Sequence, residues 1–386
     1  MSWNRIRLGD IAIFRNGINF GKESYGKGVS LIGVSDFKNR FYPDYETLDE
    51  VKESVVGVND YLDYGDIVFV RSNGNKELVG RCMLIKTTKS KITYSGFCIR
   101  TRIKNKTEHD PIFWAYHFKN ISFRKSMSGN AVGTNIQNLS QGMLSNYEAE
   151  VPDYNTQLRI ASILVDYDNL IENNHKQIKL LEEAAQRLYK EWFVDLRFPG
   201  HKNVEIVGGI PIGWNKCFID DIFQIRYGKT LPTSKISNEG AYPVYGANGI
   251  IGYYNEKNCD DYTVLITSRG NGSGDVSRTH DKESFVTNNS FIVKPLNSLY
   301  RVSYVYQLMK HTDFKRVCTG SAQPQLTNTS ISTIIVNKPA EEVIDLFCDR
   351  TDNLYQKIES LLRQNLFLEE ARDRLLPKLM SGEIEV

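Results

Sequence analysis

Between Thr156 and Trp192 the positions Ile160, Leu164, Tyr167, Ile171, Ile178, Leu181, Ala185, Leu188 and Trp192 fall alternately four and three residues apart. That spacing is the seam of a coiled coil, narrower than the stripe of an ordinary surface helix. It predicts one helix roughly 55 Å long, at about 1.5 Å of rise per residue. A single seam position is polar, Asn174. The C-terminal stretch repeats the pattern with Ile344, Phe347, Leu354, Ile358, Leu361, Leu368, Leu375 and Leu379, and its polar seam residue is Asn365. Neither seam can stay exposed along its length, so the two helices are expected to pack against one another. If the two asparagines face each other in an antiparallel pair, Ile160 meets Leu379, Leu181 meets Ile358 and Trp192 meets Phe347, since a buried Asn selects register.

Outside these helices the period changes. Short runs of β-branched and aromatic residues, punctuated by Gly, Asn and Ser, predict strands and turns. They occur twice. Trp3-Asn4, Asp10-Ile11, Arg15 and Gly17 return with the same spacing as Trp214-Asn215, Asp221-Ile222, Arg226 and Gly228. Ile67-Val-Phe-Val70 runs into Arg71-Ser-Asn-Gly-Asn75, and Val264-Leu-Ile-Thr267 runs into Ser268-Arg-Gly-Asn-Gly-Ser-Gly274. Each copy continues through a short helical segment, Pro111 to Phe118 or Arg301 to Lys310, then a polar loop, and closes on Pro152 or Pro339. The long helices repeat as well, with Leu181-Glu-Glu-Ala184 and Arg187-Leu188 recurring as Leu368-Glu-Glu-Ala371 and Arg374-Leu375. The expected fold is therefore α+β: two similar globular α/β domains, residues 1–152 and 198–339, separated by an antiparallel coiled coil of two long helices, residues 153–197 and 340–386, as a pseudo-two-fold internal repeat.

Composition narrows the class. With 386 residues, 41% hydrophobic and 24% charged, the chain can build two or three cores. No apolar run approaches the roughly 18 residues of a membrane span, and the N-terminus lacks a signal-peptide core, so no membrane association and a cytoplasmic location are expected. Cys82, Cys98, Cys217, Cys259, Cys318 and Cys348 are scattered without a Cys-x-x-Cys pair, which points to reduced, buried thiols. The net charge of +2 divides unevenly. Residues 1–152 carry 21 Lys and Arg against 16 Asp and Glu, and residues 198–339 carry 15 against 11. The helical stretches carry 6 against 8 and 6 against 11. Two basic bodies on less basic helices form the footprint of a protein that touches a polyanion at two places. Duplex DNA, with its local two-fold symmetry, is such a partner.

Three stretches carry a family resemblance. Leu188-Tyr-Lys-Glu-Trp-Phe-Val-Asp-Leu-Arg-Phe-Pro-Gly200, Tyr242-Pro-Val-Tyr-Gly-Ala-Asn-Gly-Ile250 and the terminal Arg374-Leu-Leu-Pro-Lys-Leu-Met-Ser-Gly-Glu-Ile384 resemble the specificity (S) subunit of type I restriction-modification systems, over the whole chain and in the right order. The resemblance implies that each globule is a target-recognition domain reading one half of a bipartite, asymmetric DNA site. It implies helices that dock methyltransferase (M) subunits, two per chain, with restriction (R) subunits added for cleavage. It also implies methylation of adenine from S-adenosylmethionine bound by the M partner, with no cofactor in this chain.

The residues independently point away from catalysis. An amino-methyltransferase holds its flipped base with an Asn- or Asp-Pro-Pro-aromatic cluster, and the sequence contains no Pro-Pro. Gly17-Ile-Asn-Phe-Gly-Lys22 fails as a phosphate loop because Asn16 occupies the first glycine position and Glu23 replaces the Ser or Thr. Gly270-Asn-Gly-Ser-Gly274 reads as a turn, since Asp275-Val-Ser-Arg278 does not open a helix. The six histidines show no metal-ligand spacing, and no Ser, His and Asp set assembles. Catalytic and metal residues are thus expected to be absent. Two rival readings are a stand-alone DNA-modifying enzyme and a repeat scaffold that binds only proteins.

The chemistry that remains is base reading, in which Arg pairs with guanine, Asn or Gln with adenine, and glycines let backbone approach phosphate. In the first globule the candidates are Arg71, Ser72, Asn73, Asn75 and Lys76, with Asn130, Thr134, Asn135 and Gln137 from the late loop. In the second they are Lys229, Thr230, Tyr245, Asn248, Ser268, Arg269, Asn271, Ser273, Gln323 and Gln325. Arg71 and Arg269 lead, because each follows a strand at what reads as a corresponding place. Trp192, Phe193, Asp195 and Arg197 at one helix end, and Leu379, Met380 and Glu383 at the other, are candidates for the partner-docking surface, although packing against the adjacent globule explains the aromatics equally well. Arg363 and Arg372 read as partners in helix-surface salt bridges.

Overall fold

The computed structural model describes residues 3–37, 40–72, 79–86, 91–127, 138–320 and 324–386. They fall into two units, Met1–Glu172 with Asn365–Val386, and Asn173–Gln364.

The globular part of the first unit runs β1 (Trp3–Arg7), α1 (Leu8–Ile11), β2 (Ala12–Asn16), β3 (Tyr25–Ile32), β4 (Asp49–Val51), β5 (Ile67–Val70), β6 (Cys82–Leu84), β7 (Ile92–Tyr94), β8 (Cys98–Ile103), α2 (Pro111–Lys119), α3 (Ile121–Met127), α4 (Gln141–Ser145) and β9 (Glu148–Pro152). A long helix, α5 (Tyr154–Tyr189), follows at once. The second globule runs β10 (Ile206–Val207), β11 (Ile210–Pro211), β12 (Asn215–Phe218), β13 (Phe223–Tyr227), β14 (Tyr242–Gly246), β15 (Gly249–Tyr254), β16 (Val264–Thr267), β17 (Val276–Arg278), β18 (Phe285–Val286), β19 (Ser290–Pro295), α6 (Val302–His311), α7 (Asn328–Ser332) and β20 (Ile335–Lys338). The second long helix, α8 (Glu341–Met380), completes the chain. No described helix is long and apolar enough to cross a membrane.

The two globules share one topology. Sheet order β2-β8-β5-β6 in the first is β13-β19-β16-β17 in the second, β4-β3-β7 is β15-β14-β18, and β1-β9 is β12-β20. In each three-stranded sheet an antiparallel hairpin meets one parallel strand, β7 beside β3 and β18 beside β14. The central strands β5 and β16 are buried on both faces, which is why each reads as an unbroken apolar run rather than an alternating one.

Local chemistry sets the helix ends. Asp110 caps α2 by accepting from the Phe113 N–H at 2.8 Å, with Pro111 in the first turn where its missing donor costs nothing. Asp153 accepts from both the backbone N–H (3.1 Å) and the hydroxyl (2.9 Å) of Thr156, fixing the start of α5 directly after β9. At its far end α5 widens into a π-helical turn, Lys190–Val194.

The long helices do not form a body of their own. In the first unit Ile160 and Leu164 of α5 and Leu376, Leu379 and Met380 of α8 join Phe69, Phe113, Trp114 and Phe118 of the globule in one core. In the second unit Tyr189, Trp192, Phe193, Ile344 and Phe347 join Phe223, Phe291 and Tyr304. The start of α5 thus meets the end of α8 in one unit, and the end of α5 meets the start of α8 in the other, so the pair is antiparallel. Leu181 and Ile358 share a smaller cluster, and the Trp192 and Phe347 rings lie 5.9 Å apart. Asn174 donates to Gln364 Oε1 at 3.1 Å.

Two expectations change here. Trp192, Phe193, Leu379 and Met380 are 3%, 6%, 1% and 6% exposed. They hold globule to helix and have almost no surface to offer a docking partner. Arg372 is also not a surface residue: it is 9% exposed and its Nη1 pairs with Asp168 across the helices at 2.5 Å, where the Tyr116 hydroxyl also donates at 2.5 Å. It lies on the same four-three seam as Asn365, Leu368, Leu375 and Leu379, and so adds Asp168 across the helices to the pair it makes with Asp373 on its own helix (2.8 Å).

Candidate nucleic-acid interface

Each globule gathers its loops where the central strands end. In the second, Lys229 donates its N–H to the Val286 carbonyl (3.0 Å), and Asn288 returns one to Lys229 (3.1 Å). Ser268 donates to Asn289 (2.9 Å), Leu326 donates to Ser268 (2.8 Å), and Gly270 donates to Pro324 (3.1 Å). Thr267 Oγ1 donates to the Ala247 carbonyl at 3.1 Å, tying in the turn between β14 and β15. Segments 228–230, 246–249, 268–274, 287–289 and 324–326 therefore form one polar surface.

The first globule repeats the scheme. Ile18 donates to Tyr94 (3.2 Å), Gly96 to Ile18 (2.7 Å), Arg71 to Phe97 (2.8 Å) and Leu139 to Arg71 (2.8 Å). These are the counterparts of the Lys229, Asn288, Ser268 and Leu326 hydrogen bonds. The shared Gly17 and Gly228 mark the tightest point. A Cβ on Gly17 would collide with the Tyr94 and Ser95 carbonyl oxygens, and one on Gly228 with those of Val286 and Thr287. Close backbone approach, rather than an unusual φ, demands glycine here.

This hydrogen bonding corrects the pairing expected for the two arginines. Val70 lies opposite Cys98 as Thr267 lies opposite Ser290, so Arg71 is the counterpart of Ser268, and Ser72 of Arg269. The isolated bridges agree, Ser72 with Asn138 and Arg269 with Gln325. Arg269 is exposed, whereas Arg71 is half-buried. In an extended segment one residue of offset turns a side chain to the other face.

Of the remaining candidates in the second globule, Lys229, Thr230, Asn248, Asn271 and Gln325 are exposed on the loop surface. Asn248 reaches the 268–274 loop, its Oδ1 beside Gly272. Tyr245, Ser268 and Ser273 are instead 3%, 0% and 3% exposed and act inside the framework. The Tyr245 hydroxyl donates to Asp281 (3.0 Å) and accepts from the His280 N–H (2.9 Å), and burial holds its pKa above the usual tyrosine range. Ser268 Oγ donates to the Asn288 carbonyl (3.2 Å) and Ser273 Oγ to the Ser268 carbonyl (3.3 Å). Neither serine has a side chain free to meet a base. Ser72 is half-buried at the edge of the first cluster. Asn73, Asn75, Lys76, Asn130, Thr134, Asn135, Gln137 and Gln323 lie outside the described residues.

The loops between β7 and β8 and between β18 and β19 complete the same surfaces, and none of the sequence candidates lies on them. Phe97, 58% exposed, stands on the first, and half-buried Asn288 and Asn289 on the second. Their signal was a polar or glycine-bearing break between two short apolar runs, Ser95-Gly-Phe97 and Thr287-Asn-Asn289, at matching places in the repeat. Among the docking candidates that are not core, Asp195 is held by Lys190 (2.8 Å) and Arg197 (3.1 Å), and exposed Glu383 by Lys378 (3.1 Å).

A family model for the type I restriction modification DNA specificity domain matches residues 2–183 and 211–364. The chain belongs to that family. The type I restriction enzyme MjaIX specificity subunit of Methanocaldococcus jannaschii is 27% identical over 302 residues, 71% of this chain and 69% of the relative. A putative MjaX specificity subunit from the same organism is 24% identical, spanning 100% of this chain and 94% of its own. Among solved structures, the S subunit of a type I restriction-modification system from M. genitalium superposes with a TM-score of 0.58 at 19% identity, covering 98% of this chain and 96% of that one. Two α/β globules with an antiparallel pair of long helices are thus the fold of a type I specificity subunit, and both copies of the family domain include a loop cluster described above.

Proposed function

We propose that this specificity subunit is the non-catalytic DNA-reading member of a type I restriction-modification complex, in which each globule reads one half of a bipartite, asymmetric site. The observation that carries the reading is the twice-built loop cluster: one backbone scheme, closed by equivalent hydrogen bonds, presenting different side chains. Equivalent frames suit two patches of one pseudo-symmetric duplex, and unlike side chains, Arg71-Ser72 against Ser268-Arg269, suit two different half-sites. The basic excess of both globules supplies attraction to phosphate that is independent of sequence.

The long helices dock two M subunits, which bind S-adenosylmethionine and methylate adenine, and R subunits join for cleavage. Arg197 and Glu383, exposed beyond the helix cores, remain the candidates for the docking surface.

Electrophoretic retardation of duplex DNA by the purified chain, with and without its M subunits, tests the assignment, alongside incubation of the chain alone with labelled S-adenosylmethionine and DNA. Sequence-selective retardation that sharpens with the M subunits, and no label transfer by the chain alone, is the expected outcome. Label transfer by the chain alone makes it a stand-alone enzyme; no retardation under either condition makes it a protein scaffold.

A further inference from the structure

The first loop cluster carries an aromatic ring that packing does not account for. Phe97 is 58% exposed and occupies the third position of a tight turn, Ser95-Gly-Phe-Cys98, closed by the Cys98 N–H donating to the Ser95 carbonyl at 2.9 Å. The backbone on both sides is pinned. Gly96 donates to Ile18 (2.7 Å), the Phe97 carbonyl accepts from Arg71 (2.8 Å), and the Cys98 carbonyl accepts from Gly17 (3.1 Å). A Cβ on Gly96 would collide with Asn19 Oδ1, so the turn sits hard against the segment that follows β2. The ring is therefore held out from a backbone that cannot withdraw without breaking these bonds.

Single exposed apolar residues are ordinary on a protein surface, but the place of this one sets it apart. It belongs to the loop surface built with Arg71, and its equivalent in the second globule is Asn289, to which Ser268 donates (2.9 Å) as Arg71 does to Phe97. One backbone position thus presents an amide in one globule and a phenyl ring in the other, as suits a position that reads unlike base pairs. A phenyl ring offers no hydrogen bond to a phosphate or to the polar edge of a base. What it can cover is the C5-methyl of thymine, the apolar group that a base pair presents in the major groove. Wedging the ring between base pairs would require unstacking and a kink; covering a methyl deforms nothing.

We propose that Phe97 is a specificity-determining residue of the first globule, packing on the C5-methyl of one thymine in its half-site. The inference rests on the reading of the first loop cluster as a DNA contact.

Deoxyuridine in place of thymine removes that methyl and leaves every hydrogen-bonding group of the base pair intact. Fluorescence anisotropy of the chain with its M subunits, on duplexes of its methylation motif in which each thymine is replaced in turn by deoxyuridine, tests the proposal. One thymine is expected, in the half-site that Arg269→Ala leaves unchanged, at which uracil weakens binding about fourfold, the value of one buried methyl. Phe97→Ala should bind the two duplexes alike. No uracil-sensitive thymine in that half-site overturns the proposal on the native chain alone, with no variant needed. The same sensitivity in Phe97→Ala as in the native chain also overturns it, and an equal loss on every duplex in that variant would mark a wedge or backbone contact instead. In each of these cases sequence-selective binding persists and the reading of the cluster stands; absence of sequence-selective binding by the native complex overturns that reading and the inference with it.

Discussion

Arg269 sits on a short bridge to Gln325 with its side chain exposed, and a guanidinium can make two hydrogen bonds to a guanine edge. Arg269→Ala is expected to weaken specific binding by about 1–3 kcal/mol and to relax discrimination at one base pair of one half-site. Binding assays on single-substitution duplexes would show this, whereas equal loss on every duplex would mark a phosphate contact. The counterpart of Arg269 was misread from sequence for a physical reason. Matching Arg to Arg followed residue identity, while the sheets fix the alignment through Cys98 and Ser290, and in a strand a slip of one residue exchanges faces. The apolar runs and glycine-rich loops were legible; the register between copies was not, because it depends on long-range pairing.

A second residue-scale prediction concerns His117, buried in the first globule with Nε2 2.7 Å from the Tyr147 hydroxyl. Burial lowers its pKa from 6.5 to about 4. The unfolded imidazole takes its proton near pH 6.5 and the folded one only near 4, so this contribution is full above about pH 6.5 and is lost as pH falls toward 4. The loss amounts to roughly 3 kcal/mol. Urea unfolding between pH 7 and 4 should show a steeper fall for the native chain than for His117→Gln.

At the scale of elements, the seams of α5 and α8 were read almost completely, because a four-three spacing sustained over many turns fits little besides a pair of long packed helices. The spacing alone did not show that globules share the same cores. Trp192→Ala should therefore destabilise the isolated chain by about 3–5 kcal/mol in urea unfolding. A docking residue would leave the isolated chain unchanged and weaken only the association with M subunits. The helix pair suggested by the acidic neighbours of Arg372 does form, with Asp373, but its seam position adds the buried Asp168 across the helices. The two arrangements differ in energy. Asp168→Asn removes the buried carboxylate of the pair and leaves Arg372 only the exposed Asp373, which should cost about 1.5–3 kcal/mol, whereas Glu183→Gln, opposite exposed Arg187 at 3.2 Å, should cost about 0.5 kcal/mol or less. Thermal or urea unfolding of the two variants gives the comparison directly.

At the scale of the whole molecule, duplication is the organising fact. Two sets of loops follow one backbone plan and carry different side chains, as Arg71-Ser72 against Ser268-Arg269. The plan was visible in sequence through Gly17 and Gly228, fixed by close approach, and through Trp3 and Trp214 and the repeated Leu-Glu-Glu-Ala of the helices. Loop residues such as Phe97 and Asn289 leave no such mark, because nothing in packing constrains their identity. The same freedom would let two globules of one topology read different bases.

That account rests on independence of the two halves. The most direct test is methylome sequencing of cells expressing the chain with its M subunits, comparing the native protein with a variant in which Asn248, Arg269, Asn271 and Gln325 are all replaced by Ala. The account predicts a bipartite methylated motif in the native case and, in the variant, degeneracy confined to one half with the other half unchanged. A contiguous motif, or loss of discrimination in both halves at once, would contradict it.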